Sequence, residues 1–205
     1  LPGVNVTSSS TLNATLEAAA QAKSDVIIQL SNGGAQFYAG KGMPDSFEAK
    51  VLGAVAAAQH THLLAEHYGV CAILHTDHAN RALIPWVEAM ITHGERFFEA
   101  HGKPLFSSHM LDLSADSIAF NLGECERVLG RMAKIDMSLE IELGVTGEAV
   151  DLAGFQPELT EQGAVHPVTR LLGSSADNAA MWGRLPEMDG VNLSRGLAPG
   201  SAMLL

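Results

Sequence analysis

The feature that most constrains the fold is an alternation of short apolar runs with longer segments of helical periodicity. The runs are rich in β-branched residues and short enough for buried strands; they cover residues 4–6, 25–30, 70–75, 104–110 and 137–143. The segments between them have compositions and end signals that favour helices, and they cover residues 12–23, 47–68, 85–101 and 114–135. This order predicts an α/β fold of βα units packed into a parallel sheet or barrel.

The composition supports a folded domain and opposes some classes of partner. Of the 205 residues, 47% are apolar and 17% are charged, which is enough apolar material for a core. The net charge of −11 repels polyanions, so we expect neither nucleic acid nor an anionic membrane as a partner. Cys71 and Cys125 lack C-x-x-C spacing, which argues against a disulfide framework or a thiolate zinc site and favours the reducing cytoplasm.

Both ends of the chain affect the expected domain organisation. The first residues, LPGV, include no initiator methionine and no basic signal region, so we expect residues to be missing in front. No apolar run reaches 18 residues. Glycine and proline make up 11 of the last 58 residues but only 17 of the first 147. We therefore expect one region of βα units at 1–147 and a divergent, loosely ordered tail at 148–205.

A glycine-rich segment follows the predicted second strand. This segment, 31–35 (SNGGA), lies at the carboxyl end of the strand, the edge at which parallel α/β folds bind ligands. Its two glycines allow a backbone nest that could hold an anion. A tight turn without any ligand is the alternative.

The polar cluster 75–78 (HTDH) directly follows the third apolar run, where a core strand gains nothing from burying such groups. Strand alternation sends His75 and His78 to opposite faces, so one of these histidines is expected to be structural. Asp77 and His78 also diverge unless the strand has ended. We predict His78 as a metal ligand and Asp77 as an acid/base group; the alternative is a polar cap whose hydrogen bonds are all internal.

Further carboxylates follow on the next strands. Asp112 lies after the fourth run, and the i, i+2 spacing of Glu140 and Glu142 puts both on one face of the fifth. Paired carboxylates on a buried strand need a cation, a shared proton or good donors, and a divalent metal meets that need. A strand facing solvent is the alternative, although it would suit an antiparallel sheet better.

Other histidines, the cysteine Cys71 and the methionines are predicted to have structural roles only. His60, His62 and His67 do not match the H-E-x-x-H pattern, so we interpret them as surface or packing residues. Cys71 and the methionines are expected in the core.

Taken together, five segments closely resemble the class II fructose-bisphosphate aldolases, which are metal-dependent (β/α)8 barrels. The segments are VNVTSSSTLNATLEAA, VIIQLSNGGAQFYAGKG, AEHYGVCAILHTDHA, GKPLFSSHMLDLS and SLEIELGVTG. Their order makes the resemblance specific over about residues 1–147. It implies a zinc enzyme of glycolysis and gluconeogenesis, homodimeric in its family, that reversibly cleaves fructose 1,6-bisphosphate to dihydroxyacetone phosphate and glyceraldehyde 3-phosphate.

The resemblance also implies roles for individual residues. Asp77 matches the group that handles the proton of the C4 hydroxyl, and His78 matches a zinc ligand. Asp112 and Glu142 match the carboxylates of an alternative, more buried metal position. Residues matching groups near the substrate are Asn5 and Ser31.

The lysines agree with the metal route. Carbon–carbon cleavage beside a ketone leaves an ene-diolate, which needs either a lysine Schiff base or a Lewis acid. No lysine ends a predicted strand; the five lysines are Lys23, Lys41, Lys50, Lys103 and Lys134. Zinc with nitrogen and oxygen ligands suits the site.

The chain departs from the family after the fifth strand. The segment 146–151 is shorter than the family's catalytic loop, and only Glu148 could replace its glutamate. The tail has one histidine, His166, where the family has two further zinc ligands and phosphate loops. Five strands cannot close a barrel, so we expect impaired turnover and either association through exposed edges or a marginal open sheet. A truncation, a deletion or a frameshift would each produce this tail.

Two alternatives to the fructose-bisphosphate reaction remain. Tagatose-bisphosphate aldolases belong to the same superfamily and differ in stereochemistry at C4, which no residue here decides. A catalytically inactive partial barrel that serves as an assembly piece is the other alternative.

Overall fold

The computed structural model describes residues 1–142 and 202–204. Strands and helices alternate within these residues. The strands are β1 (Gly3–Asn5), β2 (Val26–Ser31), β3 (Ala72–Ala79), β4 (Ser108–Asp112), β5 (Ser138–Glu142) and β6 (Ala202–Leu204). The helices are α1 (Ser9–Ala22), α2 (Asn32–Ala39), α3 (Ser46–Tyr68), α4 (Ile84–His101) and α5 (Ile118–Met132), with short 3-10 helices at Arg81–Leu83 and Ala133–Ile135.

The strands form a six-stranded sheet in the order of the chain. β1 pairs with β2, β2 with β3, and β5 with β6, and each of these pairs is parallel. Parallel neighbours need a crossover connection, and helices supply it between β1 and β2 and between β2 and β3. The predicted α/β fold of βα units around a parallel sheet is therefore confirmed.

The chain divides into two compact units, Leu1–Met110 and Leu111–Leu205. In the first unit α2 packs against α3, and α3 packs against α1 and α4. Its largest fully buried side chains include Leu12, Leu16, Ile28, Leu30, Trp86, Met90 and Ile91. In the second unit α5 packs against β5, and its buried side chains include Val128, Leu129, Met132, Leu139 and Ile141.

Side-chain caps explain where the helices begin. The Ser8 hydroxyl accepts from the Thr11 amide at 3.2 Å, and the Thr11 hydroxyl accepts from the Ser8 amide at 3.0 Å, which starts α1. The Asp45 carboxylate accepts from the Phe47 amide at 2.8 Å and starts α3. α3 ends at Gly69, whose φ of 65° is left-handed and suits glycine. The predicted end of this helix is confirmed.

The expected glycine-rich turn at 31–35 is wrong, because the first turn of α2 lies there. The Ser31 hydroxyl accepts from the Gly34 amide at 3.1 Å and caps the helix. Glycine disfavours helix in isolation, but α2 packs against α3, and tertiary packing outweighs intrinsic propensity.

Two other boundaries differ from the expected ones. β3 continues to Ala79, so the polar cluster 75–78 lies on the strand instead of after it. α5 is capped by Ser117, whose hydroxyl accepts from the Phe120 amide at 3.3 Å. Ser114, the first residue of the expected helix, instead donates its hydroxyl to Asp112 Oδ1 at 2.6 Å.

The histidines of α3 have structural partners. His60 is hydrogen bonded to the Tyr38 hydroxyl at 2.7 Å and to Asn13 Oδ1 at 3.0 Å. His62 Nε2 donates to the Leu105 carbonyl at 3.0 Å, and burial lowers the pKa of His62. The interpretation of both as packing residues is confirmed.

The expected core residues are confirmed only in part. Among the residues whose burial the structure describes, four methionines are fully buried: Met90, Met110, Met132 and Met137. Cys71 is exposed, because it precedes β3 instead of lying on it, so its assignment to the core is wrong. In the described part of the chain, no helix combines the length and apolar character that crossing a membrane requires.

The strand β6 was not expected from the sequence. Three residues are too few to show alternation, and β6 is defined by its pairing, with Ala202 opposite Leu139 of β5. Residues 143–201, which include most of the tail and the segment 146–151, lie outside the described residues. The division of the chain at 147 and 148 therefore stays a prediction.

The contact between α2 and α3 predicts the effect of one substitution. Gly53 in α3 is buried, and a Cβ atom added there would overlap the carbonyl group of Ala35. We expect Gly53→Ala to lower the free energy of unfolding by about 1–3 kcal/mol, because one helix must move. Gly123→Ala on α5 is the control, since an added Cβ meets nothing within 4 Å. Urea denaturation that gives Gly53→Ala the stability of the parent would contradict the close approach.

Candidate active site

Three side chains meet at the carboxyl ends of β1 and β3. Asn5 Nδ2 donates to Asp77 Oδ2 at 3.1 Å, and His78 Nδ1 donates to Asp77 Oδ1 at 2.8 Å. The side chain of Asp77 is only 16% exposed, whereas that of His78 is 58% exposed. Both oxygens of Asp77 are therefore held, and the orientation of its carboxylate is set by its neighbours.

Strand register explains why Asn5 reaches Asp77. Asn5 lies opposite Gln29 of β2, and Gln29 lies opposite His75 of β3. Side chains two residues apart on a strand share a face, so Asp77 lies on the same face as His75. The sequence separation between Asn5 and Asp77 is 72 residues, so only the parallel pairing brings them together.

A left-handed residue in β3 lets adjacent side chains bond to each other. Regular alternation would send Asp77 and His78 to opposite faces, and the strand does not end between them. His78 has a φ of 42°, which breaks the alternation. This conformation is uncommon for a non-glycine residue, and such strain occurs mostly at functional sites.

The bond between His78 and Asp77 has the form that metal-binding histidines usually show. With the proton on Nδ1 donated to a carboxylate, the lone pair of the neutral ring is on Nε2. Histidines that bind metals through one ring nitrogen usually donate the other N–H to a carboxylate or carbonyl. The geometry of His78 fits the ligand role predicted for it.

Ser31 lies at the same edge of the sheet. It is the last residue of β2, and the register places it opposite Asp77. Its oxygen accepts from the Gly34 amide at 3.1 Å, while its proton remains available to donate. The role predicted for Ser31 near a substrate is compatible with capping α2.

The remaining side chains of the cluster 75–78 link β3 to β4. His75 Nδ1 is hydrogen bonded to the Ser108 hydroxyl at 2.7 Å, and the Thr76 hydroxyl is hydrogen bonded to His109 Nδ1 at 2.7 Å. His75 and His109 are 3% and 0% exposed. Both histidines therefore have structural partners, as the sequence predicts for one of the pair His75 and His78.

Burial keeps these two imidazoles neutral. It lowers the pKa of His75 to about 4, against a smaller opposing effect of Asp77. Burial also lowers the pKa of His109 to about 3, and the neighbouring His75 adds to this effect. His109 Nε2 has no hydrogen-bond partner within the described residues.

In the second unit, Asp112 and Glu142 end β4 and β5. Asp112 Oδ1 accepts from the hydroxyl of Ser114 at 2.6 Å and from its amide at 3.3 Å. Glu140 and Glu142 are each 8% exposed, so the expectation of two carboxylates on a buried strand is confirmed and the solvent-facing alternative is wrong. Of the three residues predicted as metal ligands, Asp112 and Glu142 belong to the second unit and His78 to the first.

Glu148 and His166 lie outside the described residues, so the catalytic role of Glu148 stays a prediction. Asn121, which the sequence analysis did not select, is fully buried and donates from Nδ2 to the Glu142 carbonyl at 2.7 Å. The sequence feature that could have indicated Asn121 is a polar amide among the apolar residues on the buried face of α5.

The lysines lie away from the sheet edges, as expected. All five lysines of the chain are among the described residues, and none is on a strand. They lie in helices or in the segments that connect them: Lys23, Lys41, Lys50, Lys103 and Lys134. A Schiff-base lysine at the carboxyl end of a strand is therefore absent from the described residues.

The described strands and helices define an α/β protein with a parallel sheet, and the hydrogen-bonded carboxylate of Asp77 lies at the carboxyl edge of that sheet. Residues 1–175 match the family described as fructose-bisphosphate aldolase class-II. The chain belongs to this family.

Individual relatives agree with the family match. The chain is 52% identical to the fructose-bisphosphate aldolase class 2 of Escherichia coli K12 over 153 residues, 74% of this chain and 43% of the relative. A crystal structure of fructose-bisphosphate aldolase from Campylobacter jejuni is 52% identical, with a TM-score of 0.68, over 72% of this chain and 42% of that one. The chain thus spans less than half the length of these relatives.

The buried histidines predict a pH dependence of stability. In the unfolded chain an imidazole takes up a proton near pH 6.5, whereas folded His75 and His109 do so only near 4 and 3. The unfolded state therefore binds more protons between these values, and stability falls as the pH falls from about 6.5 to 4. We expect a loss of roughly 1.4 kcal/mol per pH unit for each histidine.

The variant His109→Gln tests this assignment. It should show a shallower loss of stability than the parent in urea denaturation at pH 7, 6 and 5. His67→Gln on α3 removes an exposed imidazole and serves as the control. The same pH slope in His109→Gln and the parent would mean that His109 is protonated in the fold.

Proposed function

We propose that this chain contributes to a class II aldolase site that reversibly cleaves fructose 1,6-bisphosphate into dihydroxyacetone phosphate and glyceraldehyde 3-phosphate. The observation that carries the proposal is the clamped carboxylate of Asp77, held by Asn5 and His78 in a chain of the aldolase family. A carboxylate with a set orientation beside a metal-ligating histidine is what proton transfer next to a polarised ketone requires.

In cleavage, Asp77 takes the proton from the C4 hydroxyl of the sugar. The C4–O bond becomes a carbonyl, the C3–C4 bond breaks, and its electron pair remains on the dihydroxyacetone phosphate part as an ene-diolate. A proton added to the former C3 then gives dihydroxyacetone phosphate. A divalent cation supplies Lewis-acid stabilisation of that charge when it is bound. Asn5 and His78 keep the carboxylate from rotating, which preserves its alignment with the hydroxyl.

For the cation we propose His78, Asp112 and Glu142 as ligands and zinc as the metal. An imidazole with two carboxylates is a donor set that suits zinc, although other divalent metals accept it as well. One observation supports the fit: Ser114 donates to Asp112 from its hydroxyl and thereby orients that carboxylate.

The proposed site includes two further residues, Ser31 and Glu148. We infer a role for Ser31 in holding the substrate from its place opposite Asp77 and its remaining hydroxyl donor. Glu148 is proposed as a second catalytic carboxylate on the resemblance alone. A phosphorylated sugar is the proposed ligand, and association into a homodimer stays a prediction.

We also infer that the chain works in the cytoplasm. Cys71 and Cys125 are both free thiols, one exposed and one buried. These are the two cysteines of the sequence, and unpaired cysteines are typical of reducing compartments.

The metal proposal predicts a specific loss. The 205-residue chain should take up cobalt or zinc, weakly since it spans less than half of its relatives, and His78→Ala should lower its affinity at least tenfold. Isothermal titration and the visible absorption of cobalt measure the uptake. His60→Gln on α3 serves as the control, and uptake by His78→Ala equal to that of the parent would remove His78 from the ligand set.

The acid/base proposal predicts a different pattern. Asp77→Asn keeps the shape of the side chain and an oxygen acceptor for His78, so metal affinity should change little. In the chain restored to a complete barrel, turnover of fructose 1,6-bisphosphate should fall by roughly 10²- to 10⁴-fold, because the proton acceptor is lost. A loss of metal together with turnover would make Asp77 structural.

The same assay separates the alternative functions. Tagatose 1,6-bisphosphate is the competing substrate, and faster cleavage of it would assign the chain to that branch. No turnover of either sugar by the metal-loaded parent would favour the inactive partial barrel.

A further inference from the structure

Asn121 joins helix α5 to the end of strand β5. Its side chain is 0% exposed, and Nδ2 donates to the backbone carbonyl of Glu142 at 2.7 Å. Its Oδ1 accepts from the Cys125 thiol at 3.2 Å. Both ends of the amide thus have partners inside the second unit.

A buried amide at this position has a cost that an apolar residue would avoid. The buried face of α5 is otherwise apolar or weakly polar, with Cys125, Val128, Leu129 and Met132. Enclosing an amide is unfavourable unless its hydrogen bonds are made, and the two bonds of Asn121 offset that cost. The amide of Asn121 is therefore useful for the group that it holds in place, the backbone carbonyl of Glu142.

The Cys125 thiol and the Glu142 carbonyl together determine which way the amide points. Burial, with a smaller contribution from Glu124, raises the pKa of Cys125 to about 12, so the thiol keeps its proton and donates it. A donor on this side requires Oδ1 of Asn121 to face the thiol. The NH₂ group then faces the Glu142 carbonyl, and the reversed amide would lose both bonds.

We propose that Asn121 is a positioning residue that holds the end of β5 so that the Glu142 carboxylate is presented to the divalent cation. The inference rests on the proposed function, because Glu142 is a ligand only in that proposal. A hydrogen bond to the backbone of a ligand residue fixes the position of its Cα atom. The carboxylate of that residue can then reach fewer positions. Such outer contacts raise metal affinity because the ligand is ordered before the metal binds.

The test measures metal affinity and stability separately. Asn121→Leu preserves approximate volume and removes both hydrogen bonds, and we expect its affinity for cobalt alone to fall about tenfold. Val128→Ala is the matched control, because it removes buried apolar atoms from the same helix without a bond to Glu142. It should lose stability in urea and keep the cobalt affinity of the parent.

A second pair of variants remains informative if Asn121→Leu does not fold. Cys125→Ser retains a donor for Asn121 Oδ1 and should bind cobalt like the parent. Cys125→Ala removes the donor to Asn121 Oδ1, so the amide is held less firmly. Its affinity for cobalt should fall several-fold.

The outcomes distinguish this inference from the proposed function. Parent affinity in a folded Asn121→Leu, or in Cys125→Ala, would overturn the positioning role alone. An equal loss of affinity in Val128→Ala would also overturn it, because stability would then explain the effect. No cobalt uptake by the parent would overturn the metal site and with it this inference.

Discussion

The parallel pairing of β1, β2 and β3 is the constraint on which the site of the first unit depends. It aligns the carboxyl ends of strands that are far apart in the chain, so that Asn5 reaches Asp77 and Ser31 lies opposite it. Parallel strands need crossover helices, and the helices in turn bury the other face of the sheet. Polar side chains can therefore be concentrated at one edge, while the apolar residues of the strands stabilise the fold.

The strand β3 contributes both to the stability of the sheet and to the polar site at its edge. His75 and Thr76 bond to β4 through Ser108 and His109, which links the neighbouring strands. The next residue, Asp77, is directed towards Asn5, and the left-handed φ of His78 turns its ring to the same carboxylate. Burial keeps His75 and His109 neutral, so they can link strands without placing charge beside the site.

The carboxylates of the second unit show how a costly arrangement is made tolerable. Asp112 receives two hydrogen bonds from Ser114, and the backbone of Glu142 is held by Asn121, itself oriented by Cys125. Donors of this kind stabilise the carboxylate oxygens or fix the strand that carries them. The buried thiol of Cys125 therefore has a structural role as a hydrogen-bond donor, and this role requires neither a disulfide nor a thiolate.

The sequence by itself determined the alternation of strands and helices, the βα architecture and the family, because these depend on local periodicity and on motifs read in order. It also singled out Asp77, His78, Asp112 and Glu142. Only the tertiary structure decided that 31–35 is helical, that β6 exists, and that Asn121 bonds to Glu142. It likewise decided that Asp77 and His78 bond within one strand. The physical reason is that packing between helices, strand pairing and a single left-handed φ are non-local or context-dependent, and they outweigh the propensities that a sequence pattern records.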